Sequence, residues 1–340
     1  MGKIMQNCSG FVWRIALLPI ALLFIAAITA ACGTVSTDAT PEPAAAVETE
    51  LVVAEAEAEA PESSVYPLTV TDELGHEVIL TAKPAKIFAP VMEDSLAALG
   101  VKPVIQWSNG VEPQLYLQDR LGDVPEISFG GGIPASEAVL AYEPDLIILH
   151  NSFYADNGVY EQYAKIAPTY AFKNASTDLK NAIRVLGELL DEPDKAAQAQ
   201  SSYDEKVQAA KARLGTLPEG KKAALIRFNA KGMFFMNANY YSGYVLVHEL
   251  GFEQSGLVQN GALEVSFEIL PELDADYIFL INDGNLGDAF LTELKESAIW
   301  QAVPAVRNGQ VFETTSDYWL SGGYIAQAKV IDDVLGFLAP

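Results

Sequence analysis

The 340-residue sequence predicts an α/β protein of two like α/β lobes joined by a single long rigid helix, with a ligand cleft between the lobes. Three observations carry that expectation. From residue 66 onward, short apolar runs alternate with helical segments, the pattern of α/β architecture. A unit at residues 137–151 recurs without a gap at 268–282. Between the two copies, residues 177–214 read as helix nearly throughout, broken only around 191–193.

In chain order, residues 68–80 read as a hairpin, Leu-Thr-Val-Thr then Glu-Val-Ile-Leu, turning at 72–76 around Gly75. Strands are expected at 86–90, 103–106, 146–150, 223–228, 277–281 and 310–313. Helices are expected at 94–99, 136–141, 177–190, 193–214, 245–250 and 290–298. The repeat aligns Glu137 with Glu268, Asp145 with Asp276 and Asn151 with Asn282, and it also pairs Ile147 with Ile278 and Leu149 with Leu280. Each copy is a short helix, a turn, a buried strand and a polar loop that begins with Asn. Leu99-Gly100 and Leu250-Gly251 form a second correspondence. A connecting helix of some 14 residues spans about 21 Å, enough to act as a strut between lobes. The carboxyl ends of the strands, facing the cleft, are the default ligand site of such sheets.

The first 65 residues have a different character. Lys3 and Arg14 precede an apolar run over 15–31, which ends Ile28-Thr29-Ala30-Ala31-Cys32-Gly33. The run is short for a membrane span and suits a signal peptide. Small residues before Cys32 resemble a bacterial lipobox, in which cleavage precedes a cysteine that becomes lipidated. Thr29 stands where that motif usually has Leu. Ordinary signal cleavage near Ala31 and an uncleaved anchor are the competing readings, and all three export the chain. Residues 33–65 hold eight acids and no Lys or Arg, mostly among Ala, Thr and Pro. Such a segment buries too little apolar surface to offset its ordering entropy and is expected to be a disordered tether. The division is therefore a signal peptide at 1–31, a lipidated Cys32 and acidic tether at 32–65, an N-terminal lobe at 66–173, a connecting helix at 174–192 and a C-terminal lobe at 193–340.

Composition excludes several classes. The formal charge is −24. With two of the 21 cations in the signal segment and eight of the 45 acids in the tether, residues 66–340 keep −18. That acidity argues against a nucleic-acid partner, which calls for a basic face. Cys8 and Cys32 are the only cysteines, so the folded part has no disulfide framework and no thiolate metal site. Three scattered histidines do not make a zinc centre. His76 falls in the hairpin turn and reads as a surface residue. His150 follows a buried strand and reads as a core histidine, with the cleft as the other reading. His248 sits inside a helix with no metal-ligand partner four residues away. No Gly-x-Ser-x-Gly elbow, phosphate-binding Gly-x4-Gly-Lys-Ser/Thr loop or His-Glu-x2-His motif is present, and no carboxylate pair is singled out for acid–base work. An extracytoplasmic hydrolase and an adhesive surface lipoprotein remain as readings of another class.

Several stretches, in order over residues 66–340, resemble the ABC-transporter substrate-binding proteins for ferric siderophores, haem and cobalamin. They include Thr69-Val-Thr-Asp-Glu-Leu-Gly-His-Glu-Val, Lys83-Pro-Ala-Lys-Ile, Leu96-Ala-Ala-Leu-Gly and Glu143-Pro-Asp-Leu-Ile-Ile. The second half adds Val265-Ser-Phe-Glu, Leu273-Asp-Ala-Asp-Tyr-Ile and Trp300-Gln-Ala-Val-Pro-Ala-Val-Arg-Asn-Gly-Gln-Val. The resemblance implies a shallow cleft with little hinge closure, no enzymatic activity, no cofactor and no metal ligated by the protein itself. The ligand is then a complete ferric siderophore, of hydroxamate or citrate type, with haem or cobalamin as the alternative. The implied partners are a membrane permease with its ATPase, and the membrane itself through the lipid anchor. The protein acts as an extracytoplasmic, membrane-anchored monomer.

The resemblance also implies one permease-docking glutamate per lobe, at Glu137 and Glu268, the residues that lead the two repeats. A helix-dipole role for these acids is the competing reading. For the ligand it points to Arg227 and Trp319, and beside them to Trp107, Tyr240, Tyr241 and Asn239, with Asn237 in the same loop. Met92 and Glu93, at the first strand–helix turn, are expected to face the cleft. A loop at 129–132, Phe-Gly-Gly-Gly, reads as a cleft loop or a plain turn. Some siderophore binders carry an arginine where this chain reads Tyr241-Ser-Gly-Tyr, and its absence counts against a highly charged catecholate.

Overall fold

Alternation of side chains organises the molecule. A computed structural model describes residues 65–108, 112–257 and 261–339. The signal segment, Cys32 and residues 33–64 of the tether lie outside the described residues. Strands β1 (Leu68–Thr71) and β2 (Glu77–Leu80) form the expected antiparallel hairpin. Its turn is held by the buried Asp72 carboxylate, which accepts from the backbone N–H groups of Leu74 and His76 and, across the sheet gap, of Ala171. His76, half-exposed as expected, stacks on Tyr160 at 3.7 Å.

The N-terminal lobe contains β3 (Ile87–Phe88), β4 (Gln106–Ser108), β5 (Glu126–Ser128), β6 (Leu146–Leu149) and β7 (Thr169–Ala171). They pair in parallel, in the order β3-β6-β7 and as the separate pair β4-β5. In the C-terminal lobe, β8 (Lys222–Asn229), β9 (Gly232–Met236), β10 (Glu253–Gln254), β11 (Ala262–Val265), β12 (Tyr277–Asn282) and β13 (Val311–Thr315) form one sheet. Its order is β11-β9-β8-β12-β13, with β10 on β8; β8, β12 and β13 run parallel, and β9 and β11 are antiparallel additions.

Period-two alternation divides the buried apolar residues of β6, β8 and β12 among three cores. Leu146 and Ile148 of β6 join a central core, while Ile147 and Leu149 pack into a core private to the first lobe. In the second lobe, Ala223 and Leu225 of β8 and Phe279 and Ile281 of β12 join the same central core. Ala224, Ile226 and Phe228, with Ile278 and Leu280, fill the second lobe's own.

The central core is closed by three helices, Leu179–Leu189, Pro193–Leu214 and Tyr324–Leu338. The break expected near 191–193 is present: Asp191 has φ +51 and Pro193 opens the second helix, where its missing N–H costs nothing. At the crossing of the first two helices a Cβ on Gly187 would lie 2.6 Å from that of Ala196, so only glycine permits the approach. Tyr203 stacks on Tyr324 at 4.7 Å and donates to Gln327 Oε1 at 2.8 Å, joining the second helix to the third. Because both sheets rest on one shared core, bending the lobes apart would expose apolar surface.

Several elements differ from the sequence expectation. The strand expected at 103–106 is β4, shifted toward Trp107. The helix expected at 245–250 is a short turn, Ser242–Tyr244, continued by a π-turn, Val245–Glu249. Strands β5, β7, β9, β10 and β11 and the helix Tyr324–Leu338 are not among the elements expected from the sequence. That helix buries one face, with Tyr324, Gln327, Val330, Ile331, Val334 and Leu335 on it, but a polar Gln327 within the face and apolar Ile325 and Ala328 outside it blur the stripe that periodicity detects.

Candidate functional site

The parallel strands end toward a cleft of about 370 Å³ lined by Trp107, Gln114, Arg227, Tyr240, Tyr241, Asp283 and Asp317 among others. Two other hollows, of about 480 and 710 Å³, lie between surface helices and not at strand ends. Their walls mix apolar side chains with surface polar ones such as Arg184 and Glu188 in the first and Lys195, Lys206 and Asp332 in the second.

Each cleft residue is placed by its element. Arg227 continues the Ala223–Leu225 face of β8 beyond the apolar core, so its side chain emerges at the strand's end. It pairs in register with Ile281 of β12, which sets Asp283, two residues on, beside it. Both Nε, at 3.1 Å, and Nη2 of Arg227 donate to Asp283 Oδ2. The loop that carries Asp283 is held from two sides. Gly284 N–H donates to Ser316 Oγ at 3.1 Å, and Gly287 N–H donates to Asn282 Oδ1 at 2.9 Å.

Trp107 sits in the middle of β4, and its backbone N–H donates to the buried Glu93 Oε1 at 2.6 Å. Its indole N–H lies near the Tyr154 hydroxyl but has no partner at hydrogen-bond geometry. Tyr240 and Tyr241 meet edge to face, with centroids 4.5 Å apart. Tyr241 takes a left-handed φ of +44, and burial raises its hydroxyl pKa well above the ordinary tyrosine range. Gly243 follows because a Cβ there would overlap the Asn237 carbonyl. Asp317 also has a raised pKa, from burial, although the backbone N–H groups of Leu115 and Tyr116 oppose the rise.

The structure moves four expected residues out of the cleft. Trp319 is fully buried; its Nε1 donates to Asp333 Oδ2 at 2.8 Å and its ring stacks on Phe279 at 5.3 Å. Met92 is 3% exposed in the central core. Glu93 is 2% exposed and supports Trp107 from behind. Burial pushes its carboxyl up to about 7. Asn239 faces outward, with Oδ1 3.0 Å from His248 Nε2. Arg227, Trp107, Tyr240 and Tyr241 do come together. The reading missed Asp283, Asp317, Gln114 and Tyr154. Asp283 had a signal, since it directly follows the repeated Asn282.

His150 is 6% exposed, its ring tilted against Tyr154 with centroids 4.5 Å apart, and burial lowers its pKa to about 4. It therefore stays neutral. Phe129 packs 5.6 Å from Tyr154, which ties the Phe-Gly-Gly-Gly loop to the same region. Glu137 and Glu268 are both exposed, each in the first turn of a short helical segment, Ser136–Leu140 and Phe267–Glu272. A hydrogen bond from Ser266 holds the Glu268 carboxyl below its usual range.

Known proteins share this architecture. The chain is 24% identical over 273 residues to an iron(3+)-hydroxamate-binding protein of Bacillus subtilis, YxeB, covering 77% of this chain and 82% of that one. A second B. subtilis iron(3+)-hydroxamate-binding protein, FhuD, is 28% identical over 209 residues, 58% of this chain and 63% of its own. Among solved structures, Staphylococcus aureus SirA complexed with staphyloferrin B superposes with a TM-score of 0.69 at 26% identity, covering 80% of this chain and 98% of SirA. The FhuD protein of S. pseudintermedius, at 20% identity and a TM-score of 0.66, shares the fold. A family model described as periplasmic binding protein matches residues 78–318, which take in both lobes and the cleft between them, and the chain therefore belongs to the periplasmic binding protein family.

Proposed function

We propose that this chain is the substrate-binding lipoprotein of an ABC importer, capturing a ferric siderophore of hydroxamate or citrate type outside the cell and presenting it to a permease and its ATPase. The observation that carries this reading is the cleft itself. Aromatic and hydrogen-bonding side chains from both lobes converge at the strand ends, in a chain whose relatives are named for ferric hydroxamate and ferric citrate binding. Such a cleft recognises a chelate by its periphery. No group of three or more His, Cys, Asp or Glu among the described residues could hold a metal ion, as suits an iron that arrives with its coordination sphere already filled.

Anchoring rests on Cys32 and its lipobox-like setting. Relatives are named as periplasmic proteins and one as a lipoprotein, and no helix among the described residues is long and apolar enough to cross a membrane. Glu137 and Glu268, exposed at equivalent places of the two lobes, are the proposed docking carboxylates for basic residues of the permease. The protein works as a monomer.

The test is intrinsic fluorescence of the full chain titrated with ferric hydroxamates, ferric citrate, haem and cobalamin. Saturable quenching by a ferric hydroxamate or ferric citrate is the expected result. Tight binding of haem or cobalamin with no response to either iron chelate would overturn the ligand assignment. For docking, the Glu137→Ala/Glu268→Ala double variant is expected to bind chelate normally yet fail to support iron uptake in cells. Unimpaired uptake would remove the docking role.

A further inference from the structure

Arg227 is the only cation that lines the cleft among the described residues, and it is already engaged. Both members of the Arg227–Asp283 pair are largely withdrawn from water, with side chains 26% and 22% exposed. Their adjacency is set by the parallel pairing of β8 with β12, and the Asp283 loop is clasped by Ser316 and Asn282. A ligand carboxylate that took Arg227 would therefore leave Asp283 unpaired in a partly dry site, which is costly. Glu112 and Asp317 add two more carboxylates to the same walls. The residues of 65–339 outside the described set are Asn109, Gly110, Val111, Val258, Gln259 and Asn260, and they carry no charge that could change this balance.

The hydrogen-bonding capacity left over is neutral. Trp107 Nε1 is a buried donor without a partner, and Gln114 Oε1 a buried acceptor without one. Tyr240 and Tyr241 add hydroxyl groups. The field of the whole folded part, with its large excess of acids over bases, acts in the same direction on an approaching ion.

Given the ferric-chelate reading above, on which this rests, we propose that Asp283 sets the charge class of the ligand: by engaging Arg227 it makes the cleft select neutral or positively charged ferric chelates and reject anionic ones. Three hydroxamate monoanions cancel the charge of ferric iron, and a free ammonium on the chelator makes the complex positive. Citrate and catecholate complexes retain excess negative charge. A trihydroxamate is therefore the class that fits, and the neutral side chains of Trp107, Gln114, Tyr240 and Tyr241 in the cleft wall are placed to contact its periphery.

The experiment measures affinities of the full chain at low ionic strength for four probes. They are a neutral ferric trihydroxamate, a ferric trihydroxamate bearing a free ammonium, ferric citrate and a ferric tricatecholate. The wild type is expected to bind both trihydroxamates at least about tenfold more tightly than the two anionic complexes. Asp283→Asn, which frees the Arg227 charge, is expected to move the citrate-to-trihydroxamate ratio roughly tenfold toward citrate and to weaken binding of the ammonium-bearing probe. Glu112→Gln, at an exposed side chain, provides a second variant with a smaller shift of the same sign should Asp283→Asn fail to fold. The proposal is overturned if an anionic complex binds the wild type as tightly as the trihydroxamates, or if the ratio stays unchanged in the folded variants. Failure of every chelate, whatever its charge, would instead refute the ferric-chelate reading, and this inference with it.

Discussion

Asp145 and Asp276 do the same thing in the two lobes. Asp145 Oδ1 accepts from Lys86 N–H at 2.8 Å, while its own N–H donates to the Lys86 carbonyl at 2.9 Å. Asp276 Oδ2 accepts from Lys222 N–H at 2.9 Å, and its N–H donates to the Lys222 carbonyl at 2.8 Å. Each aspartate thus clips the start of its lobe's first parallel strand, β3 or β8, to the start of the strand that follows it, β6 or β12. The pair that aligned in the sequence as a repeat is a repeated structural joint.

Asp145→Ala and Asp276→Ala are each expected to cost about 1 kcal/mol or somewhat more, the worth of a side-chain-to-backbone hydrogen bond near the surface. Because they lie in different sheets with no shared partner, the double variant should be additive within about 0.5 kcal/mol. Urea unfolding checks both statements. Chelate affinity should not move, since neither residue lines the cleft.

That joint also marks how far the sequence could be read. The repeat exposed the lobes, the two aspartates and the paired glutamates because they rest on short-range spacing. Arg227 was legible as a charge ending an apolar strand. Asp283 follows the repeated Asn282, a local sign of its place, but that it meets Arg227 rests on strand pairing, a long-range fact that no local spacing reports. Trp319 misled for a related reason. Its place in the turn Ser316–Trp319 is local, but its burial depends on Asp333 and Phe279, which come from other elements. Met92 and Glu93 were rightly put at the first strand–helix turn. Which way such a turn faces is decided by packing against residues more than 200 positions away.

Asp94 illustrates that distance. Its buried carboxylate accepts from Ile325 and Ala326 N–H at 3.0 and 2.8 Å, and from the Tyr116 hydroxyl at 2.9 Å. It therefore caps the N-terminus of the helix Tyr324–Leu338 from the opposite end of the chain. Gly323, at φ +139, is required there because a Cβ would overlap the Asp94 carboxyl. Asp94→Ala is expected to cost about 3 kcal/mol and Gly323→Ala more than about 2 kcal/mol. In the double variant the overlap with the Asp94 carboxyl is gone, although that with its Cβ at 2.5 Å and the positive φ remain, so its loss should fall short of the sum. Strict additivity in denaturant unfolding would show that the two residues do not meet.

Glu93 gives a pH signature. Burial pushes its pKa up to about 7 from the ordinary 4.5 of the unfolded chain. Between those values the folded state holds a proton that the unfolded state has released, so stability falls as pH rises through the window. At full difference this is worth up to about 3 kcal/mol. Asp94, raised by burial to about 6, acts in the same direction at lower pH. His150, lowered to about 4, opposes both below pH 6.5, because there the unfolded state binds the extra proton. The clean comparison is therefore between wild type and Glu93→Gln at pH 6.5 and pH 8. Stability of the wild type should drop over that interval by more than that of the variant. Parallel pH profiles would place the Glu93 carboxyl in water.

The tryptophans separate cleft from core. Trp107 lines the cleft, whereas Trp300 is 3% exposed in the second lobe's own core and Trp319 0% exposed in the central core. Iron chelates quench nearby indoles, so Trp107→Phe should remove most of the ligand-dependent quenching. It should also weaken affinity, since the indole is part of the cleft wall. Trp319→Phe should leave quenching and affinity in place while lowering stability by about 1–3 kcal/mol. That is the combined worth of the bond to Asp333 and the stacking on Phe279. The two variants therefore move different observables. If quenching vanished with Trp319→Phe and survived Trp107→Phe, the ligand would lie away from Trp107 and the cleft wall described above, and the roles of Arg227 and Asp283 would fall together.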